Sequence, residues 1–450
     1  MTLYRARVAD TPGSPFAGGG LRADDDAGLL VTGGAIADRG PFASVQARYP
    51  SEPVVDLRAG LLLPGLVDTH THYPQLRAIG DLGLPLLDWL ERCALPEEAR
   101  LADTGYARAV AAEFTRALAD AGTTSALVFG AHFAPAVEEL FAAAHATGLR
   151  ITAGLVVSDR LLRPELHTTP ERGYAEGRAL AGRWHGAGRL RYAVTPRFAL
   201  SCGEEMLAAC RQLHADLPGS LLTAHINEHP SEIAKVRELT GVGYLDSYDR
   251  HGLVGKRSVF AHNVHAPDAE LDGLAATGAA VAHCPTSNCA LGSGLFPLKA
   301  HLARGVPVAL GSDVGAGTGF SMLSEALQAY FVQRMRGADG AELGPAHLLY
   351  LATAAGARAL GLGELTGDLS AGKRFDAVWV RPPAGTPLDI GLRHASDAEA
   401  AVSRLFALAT PRDIAAVWVD GTLVKEAWVK EAPVKEARAK EAPVKEARYE

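Results

Sequence analysis

Two patterns of apolar residues alternate along the middle of the chain. Short apolar and β-branched runs predict strands, and longer segments with apolar residues three and four positions apart predict amphipathic helices. The strand-like runs are LLLPGLVDTH, TTSALVF, RITAGLVV, RYAVTPRF, SLLTAHINE, RSVFAHNV, AAVAHCP and VPVALGSD. Eight strands that alternate with helices over about 250 residues predict a (β/α)8 TIM barrel. A doubly wound open sheet is the alternative, because the number of strands does not show closure.

The two ends of the chain have a different pattern. Residues 1–62 and 370–425 contain short strands separated by turns, as in LLVTGGAIADRG and IAAVWVDGTLV. We therefore expect an α/β protein in which a catalytic barrel of residues 63–369 lies beside a small β-sandwich domain built from both termini.

The last 25 residues are a repeat. Residues 426–450 follow a five-residue period, VKEA and one variable residue, and Pro433 and Pro443 would interrupt a helix. We predict a low-complexity, disordered tail without chemistry. The alternative is an interaction segment for a partner.

Composition narrows the class of protein. The chain is 48% hydrophobic and 21% charged, as globular proteins are, and it has no apolar run long enough for a membrane span. The net charge of −7 argues against nucleic acid as a partner. Five scattered cysteines and an N-terminus without the apolar core of a secretory signal favour a reducing compartment. We expect a soluble, cytoplasmic protein with no membrane partner.

Metal-ligating side chains stand at the ends of the predicted barrel strands. His70 and His72 follow the first strand, and their spacing of two places both on the same face. His225 follows the fifth strand, His262 the sixth and Asp313 the eighth. Because the carboxyl ends of barrel strands converge on one face, these five side chains are expected to meet. Four imidazoles and one carboxylate are suitable ligands for zinc or iron(II).

A candidate proton carrier lies beside these ligands. Glu228 comes three residues after His225, just beyond the same strand. A carboxylate there can hydrogen-bond a water molecule at a metal and move its proton to a leaving group. The alternative is a helix-start residue, since acidic groups favour the first turn of the helix that follows.

Other motifs are weaker candidates. His265, His283 and His301 lie near strand ends, where a single histidine is more often structural or solvated. Cys284 and Cys289 are spaced C-x4-C, whereas the zinc enzymes that deaminate nucleic-acid bases need P-C-x-x-C. The glycines of DVGAGTGF do not match G-x-G-x-x-G, and no G-x-S-x-G elbow is present. Dinucleotide binding, nucleic-acid editing and serine hydrolysis are therefore not supported.

Several longer stretches resemble a known family. PGLVDTHTHYPQ, AHINEHPSEI, FAHNVHAP and GSDVGAGTGFSML together resemble the amidohydrolase superfamily. HYPQ, LPLLDWL, TPRFALS and GSGLF resemble the guanine deaminases within it. The likeness runs from about residue 25 to residue 424. It implies a homodimeric hydrolase with one Zn²⁺ per subunit, with Fe²⁺ as the alternative metal, that converts guanine and water to xanthine and ammonia in purine catabolism.

The resemblance also assigns roles to residues. The metal ligands would be His70, His72, His225, His262 and Asp313. The catalytic residues would be Glu228 as proton carrier, Asp313 at the water molecule and His262 near the developing charge. The substrate contacts would be Gln75, Leu87, Trp89, Arg197 and Phe198.

These substrate contacts agree with the chemistry of guanine. Arg197 can donate to both O6 and N7, and Phe198 can stack on the purine face. The Gln75 amide can donate and accept along a ring edge. Small residues at Cys289 and Ala290, if they border the purine, would also admit 8-oxoguanine, another aminopurine or a triazine. A non-catalytic assembly protein on the same fold is the remaining alternative.

Overall fold

The structure, a computed structural model, describes residues 1–426. The prediction for the repeat tail therefore lies outside the described residues, apart from Glu426, which ends the last strand. In chain order the strands are β1 (Thr2–Asp10), β2 (Arg22–Thr32), β3 (Ala35–Pro41), β4 (Val54–Pro64), β5 (Leu66–His72), β6 (Thr123–Phe129), β7 (Arg150–Gly154), β8 (Val156–Val157), β9 (Arg191–Pro196), β10 (Leu221–Ile226), β11 (Ser258–His262), β12 (Ala280–His283), β13 (Val308–Leu310), β14 (Ala377–Val380), β15 (Ile414–Val419) and β16 (Thr422–Glu426).

Helices alternate with these strands through the middle of the chain. They are α1 (Phe42–Arg48), α2 (Leu86–Trp89), α3 (Leu95–Arg100), α4 (Thr104–Asp120), α5 (Ala134–Thr147), α6 (Pro170–Trp184), α7 (Glu204–Asp216), α8 (Pro230–Thr240), α9 (Tyr244–Asp249), α10 (Asp268–Thr277), α11 (Pro285–Ala290), α12 (Leu298–Ala303), α13 (Met322–Met335), α14 (Pro345–Ala352), α15 (Ala354–Ala359), α16 (Pro387–Arg393) and α17 (Ala398–Leu408). A π-helical turn, Leu90–Ala94, joins α2 to α3.

Eight parallel strands form the barrel. Their order is β5-β6-β7-β9-β10-β11-β12-β13, and the short β8 pairs beside β9. The last strand returns to the first: the Asp313 N–H donates to the His70 carbonyl at 2.8 Å, and Thr69 Oγ1 donates to the Leu310 carbonyl at 2.8 Å. The predicted (β/α)8 barrel is therefore confirmed, and the open doubly wound sheet is not formed.

The burial pattern explains why these segments form a barrel. All seven residues of β6 are buried, because the strand has helices on one side and the barrel interior on the other. In α4 the buried residues include Ala107, Val110, Ala111 and Phe114, at the three- and four-residue spacing of one helix face. This helix begins at Asp103, whose side chain accepts from two backbone N–H groups of the first turn.

A second sheet combines both ends of the chain, as the sequence predicts. Its order is β16-β15-β14-β4-β1-β2-β3, antiparallel except between β1 and β4. It has an apolar cluster of its own, in which Tyr4 stacks on Phe375 with ring centroids 4.8 Å apart and contacts Trp418 edge-on. Hydrogen bonds join the strands into one continuous sheet. The division into domains after residue 62 and before residue 370 stays a prediction.

A buried ion pair joins this terminal sheet to the barrel. Arg150, the first residue of β7, donates to Asp376 from Nε at 2.6 Å and from Nη2 at 3.1 Å. Asp376 directly precedes β14 and also accepts from the Asp420 backbone N–H at 2.6 Å. Both side chains of the pair are buried. Since Arg150 lies at the amino end of its strand, this joint is at the opposite end of the barrel from the strand-end histidines.

We expect Asp376→Asn to lower the free energy of unfolding by about 2 kcal/mol, because it leaves the buried Arg150 guanidinium with only the partly exposed Asp420 carboxylate, at 3.4 Å, as a countercharge. Urea denaturation of the purified protein measures this loss. Glu113→Gln is the matched control, since it breaks only the exposed contact of Glu113 with Arg77. Equal midpoints for the two variants would contradict a stabilising role of the buried pair.

Among the described residues, no helix is both long enough and apolar enough to cross a membrane.

Candidate active site

The five predicted metal ligands meet at the carboxyl ends of the barrel strands. The Nε2 atom of His72 lies 3.1 Å from Nε2 of His70 and 3.2 Å from Nε2 of His225. Asp313 Oδ1 lies 3.2 Å from Nε2 of His70 and 3.1 Å from Nε2 of His72. One ligand atom each from His70, His225, His262 and Asp313 lies within 4.8 Å of all the others. The cluster can therefore hold one metal ion.

Hydrogen bonds at the far side of two rings prepare their Nε2 atoms for a metal. His225 Nδ1 donates to the Arg197 carbonyl at 2.7 Å, and His262 Nδ1 donates to Asn288 Oδ1 at 3.0 Å. A nitrogen bonded to a carbonyl oxygen must carry the ring proton, so the Nε2 atom keeps a free lone pair. His262 Nε2 is buried and has no hydrogen-bond partner. A metal ion would satisfy this nitrogen, so the residues fit such a group.

Burial keeps the imidazoles in the form that binds metals. It lowers the pKa of His72 to about 4 and holds the pKa of His225 well below the usual value. Burial also lowers the pKa of His70. Neutral imidazole is the metal-binding form, because a protonated ring has no lone pair to donate.

Asp68 fixes the backbone around the two paired histidines. Its carboxylate accepts from the His70 N–H at 3.1 Å, from the Ser312 N–H at 3.0 Å and from Ser312 Oγ at 2.5 Å. It thus ties the end of β5 to the segment after β13, as expected for an anchor of this loop. His262 and Asp313 both have left-handed backbones, with φ of 73° and 48°. Such conformations cost about 1–3 kcal/mol each, which the surrounding contacts must offset.

Glu228 lies beside the cluster in a buried position. Its Oε2 is 3.5 Å from His262 Nε2, and its Oε1 accepts from Ser293 Oγ at 3.2 Å. Burial, together with the nearby Asp313 carboxylate, raises the pKa of Glu228 to about 8. A carboxyl group with this pKa can both give and take a proton near neutral pH.

A pocket with about 340 Å³ of space, which includes open solvent, opens onto the cluster. Its lining includes four of the predicted substrate contacts, namely Gln75, Trp89, Arg197 and Phe198. Leu87 is not part of the lining, whereas its neighbour Leu86 is. Leu86, Trp89 and Leu90 are three and four positions apart on one helical face, and Leu87 lies off that face. A contact of Leu87 with the substrate stays a prediction.

The two small residues Cys289 and Ala290, at the end of α11, do not border the pocket. Cys289 is exposed and Ala290 is half-buried, and neither lines the pocket, which Leu291 does. The size of these two residues therefore gives no reason to expect a roomier site.

The three weaker candidates, His265, His283 and His301, contact protein groups outside the cluster. His265 Nε2 donates to the Ser293 carbonyl at 2.6 Å, and His301 Nδ1 donates to the Pro297 carbonyl at 2.9 Å. His283 stacks on Phe296 with ring centroids 4.2 Å apart. None of the three belongs to the metal-ligating cluster in the part of the chain that the structure describes.

The structure adds two polar residues that the sequence reasoning missed. Glu98 is buried, and its Oε1 accepts from Gln75 Nε2 at 2.8 Å, while both of its oxygens accept from Arg197 Nη1 at 2.8 and 2.7 Å. His132 Nδ1 lies 3.2 Å from Glu98 Oε2. One signal was available: Glu98 is four residues after Ala94 and so continues a buried helical face. His132 follows the second barrel strand closely.

The comparisons with known proteins agree with this arrangement. The model of the amidohydrolase family matches residues 61–424. A probable guanine deaminase of Deinococcus radiodurans is 58% identical over 432 residues, which cover 94% of this chain and 98% of the relative. The solved structure of E. coli guanine deaminase has 38% identity and a TM-score of 0.91, and the match covers 95% of this chain and 100% of that one.

A second solved structure is the guanine deaminase of C. acetobutylicum with guanine bound in its active site. It has 25% identity and a TM-score of 0.87, and the match covers 94% of this chain and 99% of that one. Because the family match extends over most of the sequence, from β4 to β16, this protein belongs to the amidohydrolase family.

Proposed function

We propose that this protein is a hydrolase that deaminates guanine, converting guanine and water to xanthine and ammonia. The observation that carries the proposal is one pocket in which a metal-ligating cluster, a buried carboxyl group and the side chains of Gln75, Arg197 and Phe198 face a common space. The relatives in Deinococcus and E. coli, whose names state this activity, support it.

We propose Zn²⁺ as the metal, held by His70, His72, His225, His262 and Asp313, with Fe²⁺ as the alternative. Imidazole and carboxylate donors suit both ions. A bound metal of this kind supplies Lewis acidity that makes water nucleophilic near neutral pH. Asp313 is placed to accept a hydrogen bond from the attacking water and to orient it toward C2 of the ring.

The substrate is held by polar and apolar side chains of the pocket lining. Arg197 directs N–H groups toward ring acceptors, and Phe198 offers an aromatic face for stacking. Trp89 and Leu86 complete an apolar wall. These contacts exclude water from the ring and keep C2 near the attacking water, which lowers the entropic cost of the reaction.

Glu228 handles the protons of the reaction. Its protonated form gives a proton to the ring nitrogen beside C2, which makes that carbon more electrophilic. The carboxylate then takes a proton from the attacking water as its oxygen bonds to C2, and passes this proton to the amino group. The C2–N bond breaks and ammonia leaves, while the remaining hydroxyl proton returns to Glu228 as the C2 carbonyl forms. The atoms balance, because one water molecule adds and one ammonia molecule leaves. His262, in contact with Glu228, helps to stabilise the charge that develops at C2.

We also propose that the protein acts in the cytoplasm as a homodimer. All five cysteines are free thiols, and four of them are at least partly buried, which suits a reducing compartment. The dimer follows from the resemblance to guanine deaminases, and gel filtration with light scattering tests it.

Purified zinc-loaded protein is expected to release ammonia from guanine far faster than from 8-oxoguanine, adenine, cytosine or a chlorotriazine. The Arg197 donors and the aromatic face of Phe198 fit a purine with a carbonyl acceptor. A coupled steady-state ammonia assay measures kcat/KM for each compound. Preference for another ring would move the proposal to that substrate, and inertness toward all of them in protein with bound metal would overturn it.

A further inference from the structure

One buried carboxylate holds both hydrogen-bonding side chains of the proposed purine pocket. Glu98 Oε1 accepts from Gln75 Nε2 and from Arg197 Nη1, each at 2.8 Å. All three side chains are at least 97% buried, so bulk water does not screen these contacts. Gln75 and Arg197 therefore approach the same atom from two sides and present neighbouring groups to a ligand.

The charge state of Glu98 decides which group Gln75 presents. Burial alone would raise the pKa of Glu98, but Arg197, His132 and Gln75 more than offset this effect and hold that pKa well below its usual range. An ionised carboxylate only accepts hydrogen bonds. The NH2 group of Gln75 must therefore face Glu98, and Oε1 remains as the group that Gln75 offers to the pocket.

The same argument applies to Arg197. A guanidinium only donates, and its Nη1 bonds both oxygens of Glu98 at 2.8 and 2.7 Å. Its other N–H groups are then directed elsewhere, and Arg197 lines the pocket. The pocket thus presents an acceptor from Gln75 beside a donor from Arg197.

We propose that Glu98 is a positioning residue that sets substrate specificity, because it locks Gln75 as acceptor and Arg197 as donor so that the site selects a lactam edge. This inference rests on the proposed guanine deamination. In guanine the N1–H donor lies next to the C6 carbonyl acceptor, which matches the pair. In 2,6-diaminopurine, N1 is an acceptor and the C6 amino group is a donor. An acceptor would then face Gln75 Oε1 and a donor would face the N–H groups of Arg197, so neither pair can form a hydrogen bond.

Glu98→Gln tests the lock directly. The oxygen of the new amide is expected to take the Oε2 position, where Arg197 Nη1 at 2.7 Å and His132 Nδ1 at 3.2 Å both face it. The new NH2 group then takes the Oε1 position and faces Gln75. Gln75 must then turn its Oε1 toward residue 98 and its NH2 group toward the pocket, where it meets the N1–H of guanine. We expect kcat/KM for guanine to fall about 100-fold relative to that for 2,6-diaminopurine, since unmatched buried polar groups discriminate strongly. Where 2,6-diaminopurine is not turned over, its competitive Ki against guanine replaces kcat/KM.

A double variant provides the rescue. In Gln75→Glu with Glu98→Gln, a carboxylate at position 75 accepts from the amide at position 98 and again offers an acceptor to N1–H. We expect it to recover at least about tenfold of the lost preference for guanine. The double variant has the same number of carboxylates as the wild type, so it remains a test if Glu98→Gln does not fold. A preference of the double variant for guanine supports the proposed role of Glu98, and the loss of that preference refutes it.

Asp376→Asn is the matched control, because it also removes a buried carboxylate from an arginine, at the opposite end of the barrel. It is expected to leave the ratio of the two substrates unchanged. An unchanged ratio in Glu98→Gln, or equal losses for both substrates, would overturn the role of Glu98. A wild-type protein that does not deaminate guanine would instead refute the proposed function, so the two failures are distinguishable.

Discussion

Replacing Glu228 by glutamine is expected to lower kcat for guanine by about 10³-fold or more while the protein keeps its metal. The amide has nearly the shape of the carboxyl group and can keep the hydrogen bond with Ser293, so the fold is preserved. It cannot exchange a proton, however, and both proton transfers assigned to Glu228 stop. Steady-state kinetics measures the loss, and metal analysis of the same sample shows that the cluster is intact.

Glu325→Gln is the control for this variant. Glu325 is also fully buried, and burial likewise raises its pKa to about 8, but it bonds Thr286 instead of the cluster. Its amide is expected to leave kcat within about a few-fold of the wild type, as for a substitution outside the reacting groups. Near-normal turnover in Glu228→Gln would remove Glu228 from the mechanism.

Replacing His225 by asparagine is expected to abolish tight metal binding, with guanine turnover below about one-thousandth of the wild-type rate. Nε2 of His225 lies 3.2 Å from Nε2 of His72, inside the cluster, and an asparagine side chain is too short to replace it. Metal content by atomic emission and guanine turnover are measured on the same preparation. Reconstitution of metal-free wild type with zinc or with iron(II) then shows which ion supports the reaction.

His283→Asn serves as the matched control for His225→Asn. His283 is also buried at the end of a barrel strand, but its ring stacks on Phe296 outside the cluster. This variant is expected to keep full metal content. Retention of metal by His225→Asn, or its loss only in His283→Asn, would show that the cluster has been assigned incorrectly.

Much of the barrel and the metal-ligating cluster could be predicted from the sequence. Strand side chains alternate between two faces, so His70 and His72 had to point the same way. A closed parallel barrel brings all carboxyl strand ends to one face, so residues as far apart as His72 and Asp313 had to meet. The first argument needs only the two-residue alternation of strand side chains, and the second needs only the order of strands and helices. Both can be read from the sequence.

The other features of the site depend on distances between elements, which the periodicity of the sequence does not determine. The role of Glu98 requires knowing that α3 packs against the pocket, and a glutamate next to another glutamate looks like an exposed pair. Which of Leu86 and Leu87 lines the pocket depends on the rotation of a four-residue helix. The left-handed backbones of His262 and Asp313 are local departures from regular strand geometry, and no residue in the sequence marks them.

Arg197 has two roles in this site, because its carbonyl accepts a hydrogen bond from His225 Nδ1. The main chain of Arg197 orients a candidate metal ligand, and its side chain lines the pocket. Every amino acid has that carbonyl, so mutation at position 197 can exchange the recognition group and leave the histidine in place. In evolutionary terms, the position of the histidine does not depend on the side chain at 197, whereas a change of the recognised ring also requires a change at Glu98, the buried partner of Arg197.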